Sequence, residues 1–171
     1  MKHERPRAYI AMGSNLGDSK RILPLAFRRM YAFSQEPVIR SSLWKSTPVH
    51  CPPGSADFIN AMVALFPCEN ETPESLLAKL QTLEKEFGRT PKKILNEPRP
   101  LDLDLIAFGN EIRNSPELIL PHPRAHLRKF VLAPLAEIAP GFILPGQKKS
   151  VRELLEELRT DEVVEKLFRA S

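Results

Sequence analysis

The pattern of apolar and polar positions predicts four strands and two helices in the first 108 residues. In chain order, the predicted strands are 7–12, 37–46, 58–66 and 101–108, and the predicted helices are 19–33 and 73–87. The strand segments are rich in Val, Ile, Leu, Phe and Trp, and the clearest of them alternate with period two. The helical segments repeat apolar residues at three- and four-residue spacing.

The ends of these elements carry local signals. Thr72 and Pro73 are a favourable N-cap and first residue for the second helix, and Gly88 ends it. Pro24 fits only in the first turn of a helix, so the helix over 19–33 is expected to start late. The turn Gly13-Ser14-Asn15-Leu16-Gly17-Asp18 is expected to join the first strand to this helix.

The order strand, helix, strand, strand, helix, strand is that of the ferredoxin-like βαββαβ fold, an α+β fold with a mainly antiparallel sheet. A short strand is expected over 118–120, after a turn at Gly109-Asn110. Ser150 and Glu153 form a capping box that opens a later helix. Residues 161–168 either continue this helix or form another, and the C-terminal helices are expected to cover the second face of an α/β/α sandwich.

Length and composition indicate an ordinary globular protein. The 171 residues correspond to one domain, 1–171, with 42% apolar and 27% charged residues. A net charge of +4 and a pI near 9.2 suit an anionic partner such as a nucleotide or nucleic acid. The chain contains neither a signal-peptide pattern nor a stretch of ~18 apolar residues, and Cys51 and Cys68 make no disulfide framework. We therefore expect a cytoplasmic protein without a membrane partner.

Two carboxylates share one face of the fourth predicted strand. Alternation places Leu101, Leu103 and Leu105 on one face and Asp102 and Asp104 on the other, roughly 6.6 Å apart along the backbone. Paired carboxylates next to phosphate groups are the usual ligands of Mg²⁺. Two Asp on a solvated strand are the alternative, because D-x-D alone is a weak motif.

The third predicted strand places Phe58 and Asn60 on one face. An aromatic ring beside an amide suits a flat heterocycle, whose faces stack and whose edge carries donors and acceptors. A core Phe and an Asn at the strand edge are the alternative. Further along the chain, the proline-interrupted segment 121–130 contains two His and three basic residues, which favour phosphate contacts over a Zn²⁺ site.

The run Pro98-Arg99-Pro100-Leu101-Asp102-Leu103-Asp104 resembles the P-R-x-L-D-[LIV]-D motif of the 6-hydroxymethyl-7,8-dihydropterin pyrophosphokinases, a family of folate biosynthesis. Four other segments resemble the same family in the same order: GSNLGD after the first strand, F-x-N, FGR, and PHPR with the sequence that follows it through Pro140. Agreement across five separated segments makes the probability of a chance similarity very small.

The resemblance implies transfer of the β,γ-diphosphate of ATP to the pterin hydroxymethyl group, with release of AMP, two Mg²⁺ ions as cofactors and the small molecules ATP and pterin as partners. It implies Asp102 and Asp104 as metal ligands, Asp102, Asp104, Arg89 and Arg99 as catalytic residues, Phe58, Asn60, Phe130 and Asp102 as pterin ligands, and Gln81, Glu84, Arg89, Arg99, His122 and Arg128 as ATP ligands. A monomer that binds no nucleic acid is expected.

One loop departs from the family pattern. Segment 90–97 has Asn96 where the family commonly has Trp, and Pro91 or Lys92 where it has a second Arg. The departure falls on the loop that, by the resemblance, closes over the pterin. The alternative functions are a catalytically impaired pterin- or nucleotide-binding protein, another metal-dependent nucleotidyltransferase, and a nucleic-acid-binding module, although the chain lacks the RNP pattern of the RRM.

Overall fold

The computed structural model describes residues 6–15, 18–47, 57–88 and 100–167. Its strands and helices follow one another as β1 Ala8–Ser14, α1 Ser19–Met30, β2 Ile39–Arg40, β3 Trp44–Ser46, β4 Phe58–Leu65, α2 Pro73–Glu86, β5 Asp102–Phe108, β6 Arg113–Asn114, β7 Ile119–Leu120, α3 Lys129–Ile138, α4 Val151–Glu157 and β8 Val164–Lys166. Short 3₁₀ helices lie at Tyr31–Phe33 and Ala125–Leu127.

The main sheet has six strands, and their spatial order is β5-β1-β4-β3-β8, with β2 also paired to β4. Every pairing in it is antiparallel. Strand β4 therefore lies between β1 and β3, which flank α1 in the chain, and β1 lies between β4 and β5, which flank α2, as the split βαβ arrangement requires. The predicted ferredoxin-like order is confirmed. β6 and β7 form a separate two-stranded antiparallel pair.

Alternating side chains divide the interior into two cores, one on each face of the sheet. On β1, Ile10 and Met12 point to the first core, whereas Tyr9 points to the second. Helices α1 and α2 cover the first core, with Leu23, Leu76 and other apolar residues packed against the strands. Helices α3 and α4 cover the second core. The structure therefore has the expected α/β/α layers.

Caps define the ends of two helices as the sequence predicts. The Thr72 hydroxyl accepts a hydrogen bond from the Ser75 N–H, and the Ser75 hydroxyl accepts one from the Thr72 N–H, at the start of α2. Ser150 and Glu153 form the predicted capping box of α4. Gly88 has a φ of 93°, a left-handed conformation that suits glycine immediately after a helix.

The first strand and the first helix have different limits from those predicted. β1 continues through Gly13 and Ser14, so the beginning of GSNLGD belongs to the strand and not to a turn. α1 begins at Ser19 and contains Pro24, so the helix does not start late. The N–H groups of Arg21 and Ile22 both bond to the Asp18 carbonyl, which establishes the first turn before Pro24 is reached.

Two further predictions are corrected. Segment 161–168 was expected to be helical, but residues 164–166 form edge strand β8 on β3. The pairing supplies backbone partners that a short polar segment cannot find by itself. The strand predicted over 37–46 is two short strands, β2 and β3, which pair with different parts of β4. In addition, α3 forms where the sequence analysis assigned no helix, with Pro134 inside it.

Among the described residues, no helix combines the length and apolar character needed to cross a membrane.

Candidate active site

Asp102 and Asp104 lie on β5 with their side chains on the same face of the sheet as α3. Both are half-buried, and Leu103 between them is buried in the core beneath α2. In the register, Asp102 is opposite Gly13 and Asp104 is opposite Ala11 of β1. The alternation that the sequence predicts for this strand is therefore present, and it presents a carboxylate pair on one face.

Glu84 of α2 holds the strand between the two Asp residues. Its side chain is buried, and Oε2 accepts a hydrogen bond of 2.8 Å from the backbone N–H of Leu103. Strand β5 is at the edge of the sheet, and Glu84 supplies an acceptor that the sheet does not. The resemblance implied ATP binding for Glu84, and that role stays a prediction, whereas this contact makes Glu84 a support of the carboxylate strand.

Asn60, Gly13 and Asp102 form one row across three neighbouring strands. Gly13 is opposite Asn60 on one side and opposite Asp102 on the other. An ideal Cβ placed on Gly13 would lie 3.4 Å from Asn60 Oδ1 and 4.0 Å from Phe58 Cδ1. The Asn60 amide and the Phe58 ring therefore both lie next to Gly13, the one position in the row that has no side chain.

The Asn60 side chain is buried and anchored from the opposite side. Its Nδ2 donates a hydrogen bond of 2.7 Å to the Ser46 hydroxyl, which is also buried. Ser46 ends β3 and is opposite Phe58 in the strand pair. Sequence reasoning did not include Ser46 among the site residues, because it lies fourteen positions before Asn60 and belongs to no motif that the analysis used.

Helix α3 brings Phe130 and Arg128 to the same face of the sheet. Phe130 packs against the core between the sheet and α3, α4, and the guanidinium carbon of Arg128 lies 5.5 Å from the centre of its ring. Arg128 is the N-cap residue of α3. The arrangement is a cation–π contact in which an aromatic ring and a positive charge are held side by side.

His122 lies among charged groups of this region. Burial, together with the positive charges of Arg128 and Arg124, lowers the pKa of His122 to about 4, although the Asp102 carboxylate opposes the shift. The Nδ1 atom accepts a hydrogen bond of 3.2 Å from the Arg124 N–H. At neutral pH the imidazole is therefore neutral, and Nε2 carries its proton as a hydrogen-bond donor.

The donor set fits a hard divalent cation. Asp102 and Asp104 supply carboxylate oxygens on one face, and within the four described ranges no cluster of three or more His, Cys, Asp and Glu side chains forms a metal-binding group. Mg²⁺ uses one or two protein carboxylates and completes its shell with water and phosphate oxygens, whereas a structural Zn²⁺ site needs four protein ligands. The two carboxylates therefore fit a Mg²⁺ site shared with a phosphate ligand, and that role stays a prediction.

The remaining predicted site residues are Arg89, Arg99 and Gln81, together with the loop over 90–97. Arg89, Arg99 and the loop over 90–97 lie outside the described residues. Gln81 is exposed on α2, one turn before Glu84. The structure thus places His122 near Asp102, and the row through Gly13 joins Asp102 to Asn60. The ligand roles of all these residues stay predictions.

Comparison with known proteins gives a single family. The sequence model described as 7,8-dihydro-6-hydroxymethylpterin-pyrophosphokinase (HPPK) matches residues 9–140. A 2-amino-4-hydroxy-6-hydroxymethyldihydropteridine pyrophosphokinase of Haemophilus influenzae is 38% identical over 143 residues, which cover 82% of this chain and 86% of that protein. The enzyme of the same name from Bacillus subtilis is 40% identical over 132 residues, 77% of each chain.

Longer proteins are matched over only part of their length. The folic acid synthesis protein fol1 of Pneumocystis carinii is 37% identical over 153 residues, which are 88% of this chain but 20% of that protein. Among solved structures, HPPK-DHPS in complex with substrates superposes with a TM-score of 0.70 at 12% identity, over 90% of this chain and 43% of that one. This last likeness supports the fold alone. With the family model covering most of the chain and relatives near 40% identity, the chain belongs to the 7,8-dihydro-6-hydroxymethylpterin-pyrophosphokinase family.

Proposed function

We propose that this protein transfers pyrophosphate from ATP to the hydroxymethyl group of 6-hydroxymethyl-7,8-dihydropterin, and so acts in folate biosynthesis. The observation that carries the proposal is the row formed by Asn60, Gly13 and Asp102, which places an amide for a heterocycle on the same sheet face as a carboxylate pair. The names of relatives from Haemophilus influenzae and Bacillus subtilis support the same activity.

In this reaction the hydroxymethyl oxygen forms a bond to the β-phosphorus of ATP. The bond from that phosphorus to the oxygen that bridges to the α-phosphate breaks, and AMP leaves with that oxygen. The hydroxyl proton passes to solvent. The chain has little covalent chemistry to perform, so its residues act by holding the two substrates in line and by offsetting phosphate charge.

Asp102 and Asp104 hold the metal in this proposal, and the resemblance implies two Mg²⁺ ions. When bound, such ions neutralise phosphate charge and favour loss of the hydroxyl proton. The two carboxylates are oriented for this by β5, whose backbone is tied to Glu84. The repulsion between two half-buried carboxylates on one face is what a bound cation relieves.

In this proposal the basic side chains and His122 contact the phosphates of ATP. The neutral imidazole donates from Nε2 without adding a positive charge, and Arg128 offers a guanidinium that can bind two phosphate oxygens at once. Arg89 and Arg99 have the same role by resemblance to the family. As the family resemblance implies, Phe58 and Phe130 stack on the two faces of the pterin, and the Asn60 amide forms hydrogen bonds with the edge of its ring.

The wider context is also part of the proposal. The reaction takes place in the cytoplasm, the 171 residues act as one domain and a monomer, and the partners are ATP and the pterin, without nucleic acid or membrane. Size-exclusion chromatography with light scattering, in the presence and absence of both substrates, tests whether the protein is a monomer.

The decisive experiment measures AMP release from ATP with Mg²⁺ and 6-hydroxymethyl-7,8-dihydropterin. The wild type is compared with Asp102→Asn and Asp104→Asn, which keep the size of the side chain but lose its charge. Asp161→Asn serves as the matched control, because Asp161 is an exposed residue near the C-terminus. We expect pterin-dependent AMP from the wild type and the control, and a loss of at least about a thousandfold in each site variant.

Each other result has a distinct meaning. Formation of ADP in place of AMP would identify an ordinary kinase. Pterin binding without turnover would identify a catalytically impaired binding protein, and attention would then turn to the altered loop over 90–97. Absence of pterin binding by the wild type would overturn the proposed function.

A further inference from the structure

Two consecutive residues near the C-terminus contact two different elements of the candidate site. Oε2 of Glu162 accepts a hydrogen bond of 3.1 Å from the backbone N–H of Lys129, the first residue of α3. The carbonyl oxygen of Val163 accepts a bond of 3.3 Å from the N–H of Thr47, which directly follows β3. This part of the chain therefore links the beginning of α3 to the end of β3.

The beginning of α3 depends on an acceptor that is distant in the sequence. Within the described part of the chain, its N-cap residue Arg128 makes no side-chain cap hydrogen bond, and its first turn contains no acidic residue. The first N–H groups of a helix have no partner inside the helix, and a carboxylate beside them is favourable. Glu162, which is 33 positions further along the chain, supplies that carboxylate.

The end of β3 is joined to the strand that carries Phe58. In the strand registers, Val164 of β8 is opposite Ser46 of β3, and Ser46 is opposite Phe58 of β4. Phe130 is the second residue of α3, immediately after the N–H group that Glu162 accepts. Residues 162–164 therefore connect the strands around Phe58 to the first turn of the helix that carries Phe130.

The other end of α3 is tied to the same pair of strands. The Glu137 carboxylate accepts a bond of 3.0 Å from Trp44 Nε1 of β3 and lies 3.5 Å from Lys166 Nζ of β8. Trp44 and Lys166 are opposite each other in the register. Contacts at both of its ends therefore restrict movement of α3 against β3 and β8.

We propose that residues 162–166, here called the C-terminal brace, set the position of α3 against β3, and that Glu162 is a positioning residue that acts through Phe130. This inference rests on the proposed function, in which Phe58 and Phe130 stack on the pterin. It adds a residue from outside the family motifs, because the family model matches residues 9–140 only.

Stacking on both faces of a flat ligand requires two rings at a fixed separation. A gap of ~0.5–1 Å on one face already loses roughly a quarter to a half of the dispersion energy of that contact. Without the Glu162 carboxylate, the first turn of α3 loses an acceptor and can move together with Phe130. The free protein then spends less time in the arrangement that binds the pterin.

The test is a double-mutant cycle on the dissociation constant of 6-hydroxymethyl-7,8-dihydropterin, measured by calorimetry well below every melting temperature. The wild type is compared with Glu162→Ala, Phe130→Ala and the variant that carries both changes. We expect Glu162→Ala to weaken pterin binding roughly fivefold, the effect of about one hydrogen bond. In the Phe130→Ala background the same change should alter binding by less than about twofold, because the ring that Glu162 positions is gone.

A residue that only stabilises the fold would lower the melting temperature and leave these dissociation constants unchanged. Wild-type affinity for pterin in Glu162→Ala would therefore overturn the inference. The same loss of affinity in both backgrounds would also overturn it, because Glu162 would then not act through Phe130. If Glu162→Ala does not fold, Glu162→Asp replaces it in the cycle, with the same expected direction, because its carboxylate is one methylene group shorter.

Two further variants serve as controls. Glu165→Ala removes a carboxylate from β8 whose side chain is exposed and lies 4.0 Å from Lys45, and it should bind pterin within about twofold of the wild type. Glu162→Gln keeps an oxygen that can accept the Lys129 N–H and should recover most of the wild-type affinity. Equal losses in Glu165→Ala and Glu162→Ala, or no recovery in Glu162→Gln, would contradict the role of Glu162.

Hydrogen exchange in the ligand-free wild type tests the contact without any substrate. The N–H of Lys129 has no acceptor inside α3, so its exchange should be slower than in an unstructured peptide only because Glu162 accepts it. Exchange at the rate of an unstructured peptide would overturn the inference. Pterin binding by the wild type tests the proposed function separately, so the two failures are distinguishable.

Discussion

The Glu84 carboxylate accepts a hydrogen bond from the backbone N–H of Leu103, at 2.8 Å, midway between the two aspartates of the candidate metal site. Glu84 belongs to α2, on the opposite face of the sheet from the side chains of Asp102 and Asp104. A buried carboxylate that lies beneath the strand therefore fixes the backbone from which the two candidate metal ligands project. This contact links the stability of the fold to the geometry of the site.

Removal of the Glu84 carboxylate should affect both the stability of the fold and the geometry of the candidate metal site. In Glu84→Ala the Leu103 N–H loses its acceptor inside the protein, so the free energy of unfolding should fall by about 1–3 kcal/mol, and the Mg²⁺ concentration needed for half-maximal AMP release should rise. Glu84→Gln keeps an acceptor oxygen and should be affected less. Urea unfolding and Mg²⁺ titrations measure the two effects.

Glu86→Ala is the control on the same helix. Glu86 pairs with Arg29 at 2.6 Å, but both side chains are largely exposed, so the loss should be small. Equal destabilisation by Glu84→Ala and Glu86→Ala would contradict the role assigned to Glu84.

Gly13→Ala should weaken pterin binding while leaving the fold intact. The added methyl group makes only ordinary contacts, 3.4 Å from Asn60 Oδ1 and 4.0 Å from Phe58 Cδ1, and loss of glycine stiffens the unfolded chain. The methyl group would, however, lie against the Asn60 amide, which contacts the pterin in the proposed function. We expect an unchanged or slightly higher melting temperature and at least about tenfold weaker pterin binding by calorimetry.

Gly141→Ala is the matched control for this change, because no atom lies within 4 Å of the added Cβ. It should leave pterin binding unchanged. If Gly13→Ala bound pterin as tightly as the wild type, the pterin would not contact the Asn60 amide next to Gly13.

The stability of the protein should fall on acidification in a window defined by His122. Burial, with the charges of Arg128 and Arg124, lowers the pKa of His122 to about 4, from an unfolded value near 6.5. Between these two values the unfolded chain binds a proton that the folded protein does not bind, so stability is lost as the pH falls from about 6.5 towards 4. Above about pH 7 His122 makes no contribution to the pH dependence.

Urea unfolding at pH 7.5 and pH 5 measures this difference in the wild type and in His122→Asn. The variant should lose part of the wild-type pH dependence, whereas His126→Asn removes a histidine from the same segment as a control. An imidazole resonance of His122 that titrates near pH 6.5 in the folded protein would contradict the prediction.

Glu137 of α3 should control the environment of Trp44, the single tryptophan of the chain. Its carboxylate accepts hydrogen bonds from Trp44 Nε1 at 3.0 Å and from the Ser42 N–H and hydroxyl at 2.9 and 2.7 Å. Burial raises the pKa of Glu137, but the hydrogen bonds from Ser42 and Trp44 lower it below the ordinary value of 4.5. Its contribution to stability is therefore present above about pH 4.5 and is lost as the pH falls below it.

Glu137→Gln should change the tryptophan emission spectrum and lower the melting temperature, because an amide cannot accept all of these bonds. Glu165→Gln is the control, since Glu165 is exposed and its carboxylate lies 4.0 Å from Lys45. Unchanged emission in Glu137→Gln would mean that Trp44 is held by its packing alone.

Much of the fold follows from local patterns in the sequence. Period-two alternation predicted β4 and β5, and it correctly placed Asp102 and Asp104 together on one face. The caps at Thr72 and Ser150 predicted where α2 and α4 begin, because a cap depends on residues three positions apart. These features are encoded within a few residues of one another.

Other features depend on partners that are distant in the chain. β8 is a strand because it pairs with the edge of β3. The pattern of its own residues did not predict a strand. Gly13 and Ser14 belong to β1 because β4 and β5 pair with them on both sides. The sequence analysis ended the strand at Met12, since glycine and serine are typical turn residues when they are considered alone.

The order of the core elements along the chain, the facing carboxylates and the family motifs follow from the sequence alone, because each depends on spacing along the backbone. Packing in three dimensions places Glu84 beneath Leu103, brings Ser46 into hydrogen bonding with Asn60, and sets Gly13 between Asn60 and Asp102. The physical reason is that hydrogen bonds between side chains of separate elements depend on how helices and strands pack across the sheet. That packing is settled by the whole core and not by any one segment.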